Sequence, residues 1–429
     1  MLTKISEIKG GTDVKVAGFI EKIRDQKSIQ FIILRDFSGI VQIVVDKETQ
    51  KELLPITEKL SINSFINVKG KVVENPAVKL GGKEIIPAEI KIDSIAETLP
   101  IDQTSSIDQR LDFRWLDLRQ PKNFLMMKVQ TAFTKVVRDF LCKNDFIEIH
   151  SPKIISQPSE SGSDLFTLEY FGEKAYLTQS PQFYKQMAIS SGFEKVFEIG
   201  PVFRAEKSFT SRHATEFTGI DIEMANIYEA DEIMQFEEQM ICQAISTIKE
   251  KFGEEIKKLF GIEIQVPKLP FPRIKMKEAI EILQDLDFDI EFGEDFSTES
   301  ERALSEYLIK KNGHEFFFIT GYPAEIRAFY HMRCEKDSMI VKGYDLYWKG
   351  IEITTGAVRE HRYEKLLAQA LERGNSQEKL NFYLDFFKYG CPAHGGFGIG
   401  LDRMTMLLLD IPNIKESMFI FRGPTRIKP

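Results

Sequence analysis

The sequence has only four cysteines in 429 residues, Cys142, Cys242, Cys334 and Cys391, far apart and never as CxxC. That scatter excludes a disulfide-stapled scaffold and argues against a structural zinc site. No run approaches the roughly 18 uninterrupted apolar residues of a membrane span. The opening residues, MLTKISEIKGG, hold no apolar core of the signal-peptide kind, so a reducing, cytosolic location is expected. No GxxxxGK[ST] and no GxGxxG occurs, which removes the P-loop and dinucleotide fingerprints. Internal repeats are absent too. A large charge excess is also lacking: 57 Lys and Arg face 65 Asp and Glu, a net charge of −8. That balance speaks against a dedicated DNA-coating protein. It does not exclude a local nucleic-acid patch, because phosphates feel charge only within a Debye length of about 8–10 Å.

What is present is soluble globular composition, 43% hydrophobic and 28% charged. At roughly 100–200 residues per domain, the length predicts two to four domains. Residues 1–98 read as short strands at 14–20, 29–34, 40–45, 65–73 and 84–95. Five strands in so short a stretch suggest a small barrel such as the OB-fold, with any other small β-domain as the alternative. Residues 99–121 are polar, end in proline and read as a linker or hinge. From 122 to 429 the pattern is α+β. Helical spacing covers 123–144, 181–190, 229–252, 297–311 and 363–373. Strands fall at 146–150, 175–178, 196–203, 219–225, 316–320, 344–348 and 351–355, and the hairpin-length gaps predict a mostly antiparallel sheet flanked by helices.

Three segments carry charge where core would be apolar. In the first, Arg204 and Glu206 share one face of a strand, Asp221 and Glu223 share one face of the next, and Arg212 and His213 lie between. A cross-strand salt-bridge ladder is the bland reading of any one pair. The second segment sets Glu352 and Thr355 near a strand end, a half-site for Mg²⁺ when phosphates supply the other ligands. The third runs His394-Gly-Gly-Phe-Gly398-Ile-Gly400-Leu401-Asp402-Arg403. Its glycines allow close backbone approach to a ligand, or simply a tight turn. Arg403 opens an apolar helix against the positive end of the dipole, a conflict that an anion would relieve.

Together these segments resemble the three signature motifs of class II aminoacyl-tRNA synthetases: motif 1 at about 133–152, motif 2 at about 196–225 and motif 3 at about 394–409. The similarity runs end to end, with the β-domain resembling an anticodon-binding OB-fold. Within the Asp/Asn/Lys subgroup it is similar to the aspartate branch of the short archaeal/eukaryotic-like type. Gln179-Ser-Pro-Gln182-Phe-Tyr-Lys185-Gln186, Asp221 and His394 carry that likeness.

The resemblance implies an ATP-dependent ligase with Mg²⁺ as cofactor. It would activate L-aspartate and transfer it to tRNA(Asp), with tRNA(Asn) as an open second acceptor, and would work as a cytoplasmic homodimer. Arg204, Arg403 and Glu352 would be catalytic. Glu160, Gln182, Lys185, Arg204, Asp221, Thr355 and Arg359 would hold aspartate, Gln182 and Asp221 by its ammonium and Lys185 and Arg359 by its side-chain carboxylate. Arg204, Glu206, Arg212, His213, Ala214, Phe217, Glu352, Gly400, Leu401, Asp402 and Arg403 would bind ATP. Glu352 and Thr355 would bind Mg²⁺. Arg24, Phe31, Gln42 and Glu84 would read the anticodon. An asparaginyl-tRNA synthetase, an asparagine synthetase-like paralogue and a non-catalytic RNA-binding paralogue remain the alternatives.

Overall fold

Apolar and polar positions alternate along β1 (Asp13–Asp25), and Val14, Val16 and Ile20 point inward. The alternation recurs in β4 (Phe65–Glu74) and, with a break, in β5 (Lys83–Ser94), while β2 (Ile29–Arg35) and β3 (Ile40–Asp46) each bury three consecutive residues. In this computed structural model they close into a barrel of order β1-β2-β3-β5-β4. Every contact is antiparallel except β3 with β5. Closure removes the open edges that a five-stranded sheet would expose. Ile32, Leu34, Ile43, Ile66 and Val68 fill the interior. The structure describes all residues except Met1, 159–164 and 208–209.

The chain divides into Met1–Thr104 and Ser105–Pro429. The expected linker at 99–121 is corrected in its second half, where Ile107–Asp112 and Arg114–Asp117 are helical. Arg114 is fully buried, pairs with Asp117, and donates to the carbonyls of Glu416 (2.9 Å), Met418 (2.6 Å) and Phe419 (3.2 Å). Polar composition here marks a buried ion network, not an exposed hinge.

In the second unit, β6 (Ile147–Glu148) is shorter than expected. β7 (Ile154–Ile155), β8 (Thr167–Tyr170) and β9 (Glu173–Leu177) make a separate small sheet. The main sheet adds β10 (Lys195–Phe203), β11 (Glu216–Ala225), β12 (Arg273–Lys275), β13 (Phe316–Thr320), β14 (Gly343–Trp348), β15 (Ile351–Arg359) and β16 (His394–Gly400). Its order is β12-β13-β14-β15-β16-β11-β10-β6, parallel only at the two ends. Helices Pro121–Lys143 and Ala230–Phe260 share one hydrophobic cluster with the sheet, through Val129, Phe133, Ile241 and Ile245. Ile220, Ile222, Met224, Phe397 and Ile399 meet them from the sheet. The period of two then sends Asp221 and Glu223 to the opposite face.

The glycine segment is a central strand, not a turn. Gly396 pairs with Glu223, and Gly398 with Asp221. A Cβ at Gly396 would lie 2.0 Å from the Ile222 carbonyl oxygen and 2.5 Å from Glu223 Oε2, so the neighbouring strand forbids any side chain there. Helix Gln377–Lys388 was not anticipated.

One buried group in this frame makes a pH signature. Tyr344 Oη donates to Glu237 Oε2 at 2.7 Å, while Glu237 Oε1 has no partner among the described residues. Burial, aided by the charges of Glu238 and Asp345, pushes the Glu237 carboxyl from 4.5 up to about 8. The unfolded chain loses that proton near 4.5 and the folded chain keeps it to about 8. This residue's contribution to stability therefore falls with rising pH across that window, by about 1.4 kcal/mol per pH unit. Glu237→Gln removes the dependence. In thermal denaturation, the Tm of the variant minus that of the parent should grow between pH 5 and 8 and then level off. A difference that ignores pH would contradict the assignment.

Candidate active site and anticodon-reading group

A cleft of about 670 Å³ opens on the face of the main sheet opposite the two long helices. β10 and β11 deliver Arg204 just past one strand and Phe217, Asp221 and Glu223 on the other. β15 delivers Glu352, Thr355 and Arg359, and helix Gln182–Ser190 lays Gln182 and Lys185 over them. Gln182, Lys185, Arg204, Glu206, Arg212, His213, Ala214, Phe217, Asp221, Glu352, Thr355, Arg359, Gly400, Asp402 and Arg403 all line this one cleft. Leu401 does not. It follows the N-cap Gly400 and turns its apolar side chain into the main core. Glu160 lies outside the described residues.

At one end sits Glu223, with no exposure to solvent. Arg359 donates to it through Nε (2.9 Å) and Nη2 (3.3 Å), and also to the Gly396 carbonyl (3.0 Å). Lys185 Nζ lies 3.3 Å from Glu223 Oε2 and 3.2 Å from Asp221 Oδ1. Burial alone would lift the Glu223 carboxyl, but Arg359 and Lys185 hold it below the usual carboxylate range. Two cations thus face two carboxylates in a desolvated wall, and the glycine lane of β16 keeps the floor beside them empty of side chains.

At the other end, positive charge accumulates. The Arg204 guanidinium lies 5.5 Å from the Phe217 ring centroid, and its Nε has no partner among the described residues. Arg403 reaches the Glu352 carbonyl oxygen and, at 3.4 Å, that of Arg212. Burial, then Arg403, Arg212 and Arg204, push the His213 imidazole down to about 4. A neutral histidine among three arginines describes a pocket shaped for an anion. Thr355 Oγ1 donates to Glu352 Oε1 at 3.1 Å. Burial and the neighbouring Asp345 charge raise the Glu352 carboxyl to about 7. Asp402 lines the cleft but spends its carboxylate on the Thr218 amide (3.0 Å) and Gln130 (3.2 Å).

Sequence reasoning passed over several participants. Asp345 accepts both terminal nitrogens of Arg327, and Arg212 pairs with Glu301. A lone Asp in the otherwise apolar and aromatic Gly343–Trp348 strand was a readable signal; Arg327 and Glu301 gave none.

On the barrel, the four residues expected to read an anticodon form one connected group. Arg24 and Phe31 are cross-strand partners, with the guanidinium 5.2 Å from the ring centroid. Arg24 Nη2 donates to Gln42 Oε1 at 3.0 Å, and Gln42 Nε2 donates to Glu84 Oε2 at 3.0 Å. Asn75, which went unnoticed in the sequence, donates to Glu84 Oε1 at 3.2 Å.

Comparison with known proteins agrees with both parts. Residues 14–95 match the OB-fold nucleic acid binding domain, and residues 106–421 match the class II tRNA synthetases (D, K and N). The aspartate–tRNA(Asp) ligase of Pyrococcus abyssi is 43% identical, over 100% of this chain and 98% of its own length. The aspartate–tRNA(Asp/Asn) ligase of Methanopyrus kandleri is 40% identical, over 98% and 97%. Among solved structures, the asparaginyl-tRNA synthetase of Pyrococcus horikoshii with asparaginyl-adenylate aligns over 100% of both chains, with TM-score 0.94 and 33% identity. With a cleft that gathers the motif residues and a family match over most of the chain, this protein belongs to the class II tRNA synthetases of the D, K and N type.

Proposed function

We propose that the chain is an aspartate–tRNA ligase that activates L-aspartate with ATP and transfers it to the 3′-terminal adenosine of tRNA(Asp). The observation that carries the amino-acid choice is the Glu223-held pair of Lys185 and Arg359. Their donors form a wall that a carboxylate, all acceptor, can meet on every lone pair. An asparagine amide would turn its NH₂ donors against it. Asparagine would leave Lys185 and Arg359 with only their internal partners Glu223 and Asp221, whereas the aspartate carboxylate adds charge-assisted hydrogen bonds to both. The names of the aspartate ligases at 40–43% identity support the same choice.

No nucleophilic side chain is required. An oxygen of the aspartate α-carboxylate attacks the α-phosphorus of ATP, and pyrophosphate leaves. A hydroxyl of the terminal adenosine then attacks the aspartyl carbonyl, and AMP leaves. Catalysis is positioning and charge stabilisation. In this reading Arg204 holds the α-phosphate as charge builds there. Arg403 holds the γ-phosphate, Phe217 stacks on adenine with Glu206 at its edge, and Arg212, His213, Ala214, Gly400 and Asp402 complete the nucleotide pocket. Gln182, Asp221 and Lys185 bind aspartate with Arg359. Glu160 belongs to this set by resemblance.

Glu352 and Thr355 fit Mg²⁺. They give a carboxylate and a hydroxyl beside a phosphate pocket, and among the described residues no cluster of three metal-ligating side chains exists. That suits an ion which takes most of its ligands from phosphates and water. Bound there, Mg²⁺ would neutralise triphosphate charge.

The barrel group Arg24, Phe31, Gln42 and Glu84 reads anticodon bases, by stacking on Phe31 and edge contacts from Gln42. tRNA(Asp) and tRNA(Asn) share the first two anticodon bases, so both are substrates to be assayed. A homodimer through the motif 1 segment is supported by the exposed Ile147. The free thiols of all four cysteines suit a reducing cytoplasm.

Two experiments check this reading. Lys185→Ala should lower kcat/KM for aspartate in ATP–pyrophosphate exchange by two to three decades, with ATP affinity within threefold of the parent and no asparagine charged on either tRNA. Asparagine charging, or an unaffected variant, would refute the assignment. Phe31→Ala should raise the KM for tRNA about 5- to 160-fold, from about 1–3 kcal/mol of lost stacking, and leave pyrophosphate exchange unchanged. An unchanged tRNA KM would remove Phe31 from the interface.

A further inference from the structure

Behind the amino-acid end of the cleft lies a chain of polar side chains with almost no access to solvent: Gln182 (4% exposed), Gln186, Tyr383 and His394 (0% each). Gln182 Nε2 donates to Gln186 Oε1 at 2.9 Å, and Tyr383 Oη donates to the same oxygen at 2.9 Å. Gln186 Nε2 meets His394 Nε2 at 2.9 Å, and His394 Nδ1 meets the Pro392 carbonyl oxygen at 2.9 Å.

The proton positions follow from donor counting. A carbonyl oxygen has no hydrogen to give, so His394 Nδ1 carries the proton that fills the Pro392 contact. In the neutral ring Nε2 is then bare and accepts, so Gln186 must present its NH₂ to it. Its amide oxygen is thereby committed to the other side, where Tyr383 and Gln182 both donate. Gln182, having turned its NH₂ inward, has its carbonyl oxygen left over. That oxygen has no partner among the described residues, and Gln182 lines the cleft. Burial, which pushes the His394 imidazole down to about 4, keeps the ring neutral and the order of donors unique.

We propose that Gln186 and His394 are positioning residues that lock the Gln182 amide with its oxygen toward the cleft, where it receives the ammonium group of the amino acid. The proposal rests on the reading of Gln182 as an ammonium ligand. A flipped amide would set NH₂ donors against the ammonium, so the relay selects an amino acid over the corresponding diacid without touching either. Tyr383 comes from helix Gln377–Lys388 and stacks on Phe183, with ring centroids 4.2 Å apart. That packing ties the relay to the core.

The test uses the full chain in ATP–pyrophosphate exchange, with succinate, which is aspartate without its amino group, as competitive inhibitor. Gln186→Met should raise the aspartate KM at least tenfold and leave the succinate inhibition constant and ATP KM within twofold. Gln182→Leu should do the same, and the double variant should be no worse than Gln182→Leu alone. If Gln182→Leu leaves the aspartate-to-succinate ratio unchanged, the ammonium reading itself fails. If Gln182→Leu shows the effect and Gln186→Met is silent, the relay alone fails. It also fails if Gln186→Met weakens succinate in parallel with aspartate, or if the two substitutions multiply. Should Gln186→Met not fold, Tyr383→Phe carries the test. It must raise aspartate KM two- to threefold with succinate unchanged, and an unchanged aspartate KM overturns the proposal.

Discussion

A carboxylate without solvent survives in a protein only when its charge is met on several sides. Glu223 is met by Arg359 through two nitrogens and by Lys185 at 3.3 Å. That arrangement dictates its surroundings. Gly396 must be glycine because the Ile222 carbonyl and, beyond it, the Glu223 carboxylate occupy the space where a Cβ would stand. Ile222 and Met224 must be apolar because the same strand turns its other face to the long helices. Lys185 and Arg359, 174 positions apart in the sequence, are fixed side by side before any substrate arrives. Preorganisation of this kind is what lets a charged side chain be recognised without paying for rearrangement at the moment of binding.

The two ends of the cleft solve different problems with the same means. The Glu223 end is balanced internally, and in the proposed reading it would select by the direction of its donors. At the Arg204–Arg403 end three arginines surround His213, Arg212 is paired with Glu301, and Arg204 Nε is left without a partner among the described residues. In the proposed reading a polyanion would complete this pocket. Glu352, with its carboxyl raised to about 7, sits where phosphate and metal charge would restore its ionised form.

Much of this was legible in the sequence because strands keep a period of two. Asp221 and Glu223 had to share a face, whereas Arg204 and Glu206, expected on one strand face, lie beyond the strand end at Phe203. Strands β1 and β4 of the barrel showed the same alternation. The motif residues could be named because their spacing within each segment is local. What stayed hidden depends on pairing between distant segments. The His394–Gly400 run offers no side-chain alternation at its glycines, so only its neighbours β11 and β15 reveal it as a central strand. The partners Glu301 for Arg212 and Arg327 for Asp345 are likewise contacts across chain distance. Residues 107–117 read as a linker because they are polar, and the burial of Arg114 follows from its reaching carbonyls some 300 positions away.

The account turns on whether Lys185 and Arg359, held by Glu223, receive the side chain of an acidic amino acid. The direct measurement is a crystal structure of the protein with a non-hydrolysable aspartyl-adenylate analogue. The account predicts the β-carboxylate within hydrogen-bonding distance of both Lys185 Nζ and the Arg359 guanidinium, with both contacts to Glu223 retained. A β-carboxylate seated elsewhere, or a Lys185 and Arg359 pair that remains closed upon itself with the ligand bound, would contradict it.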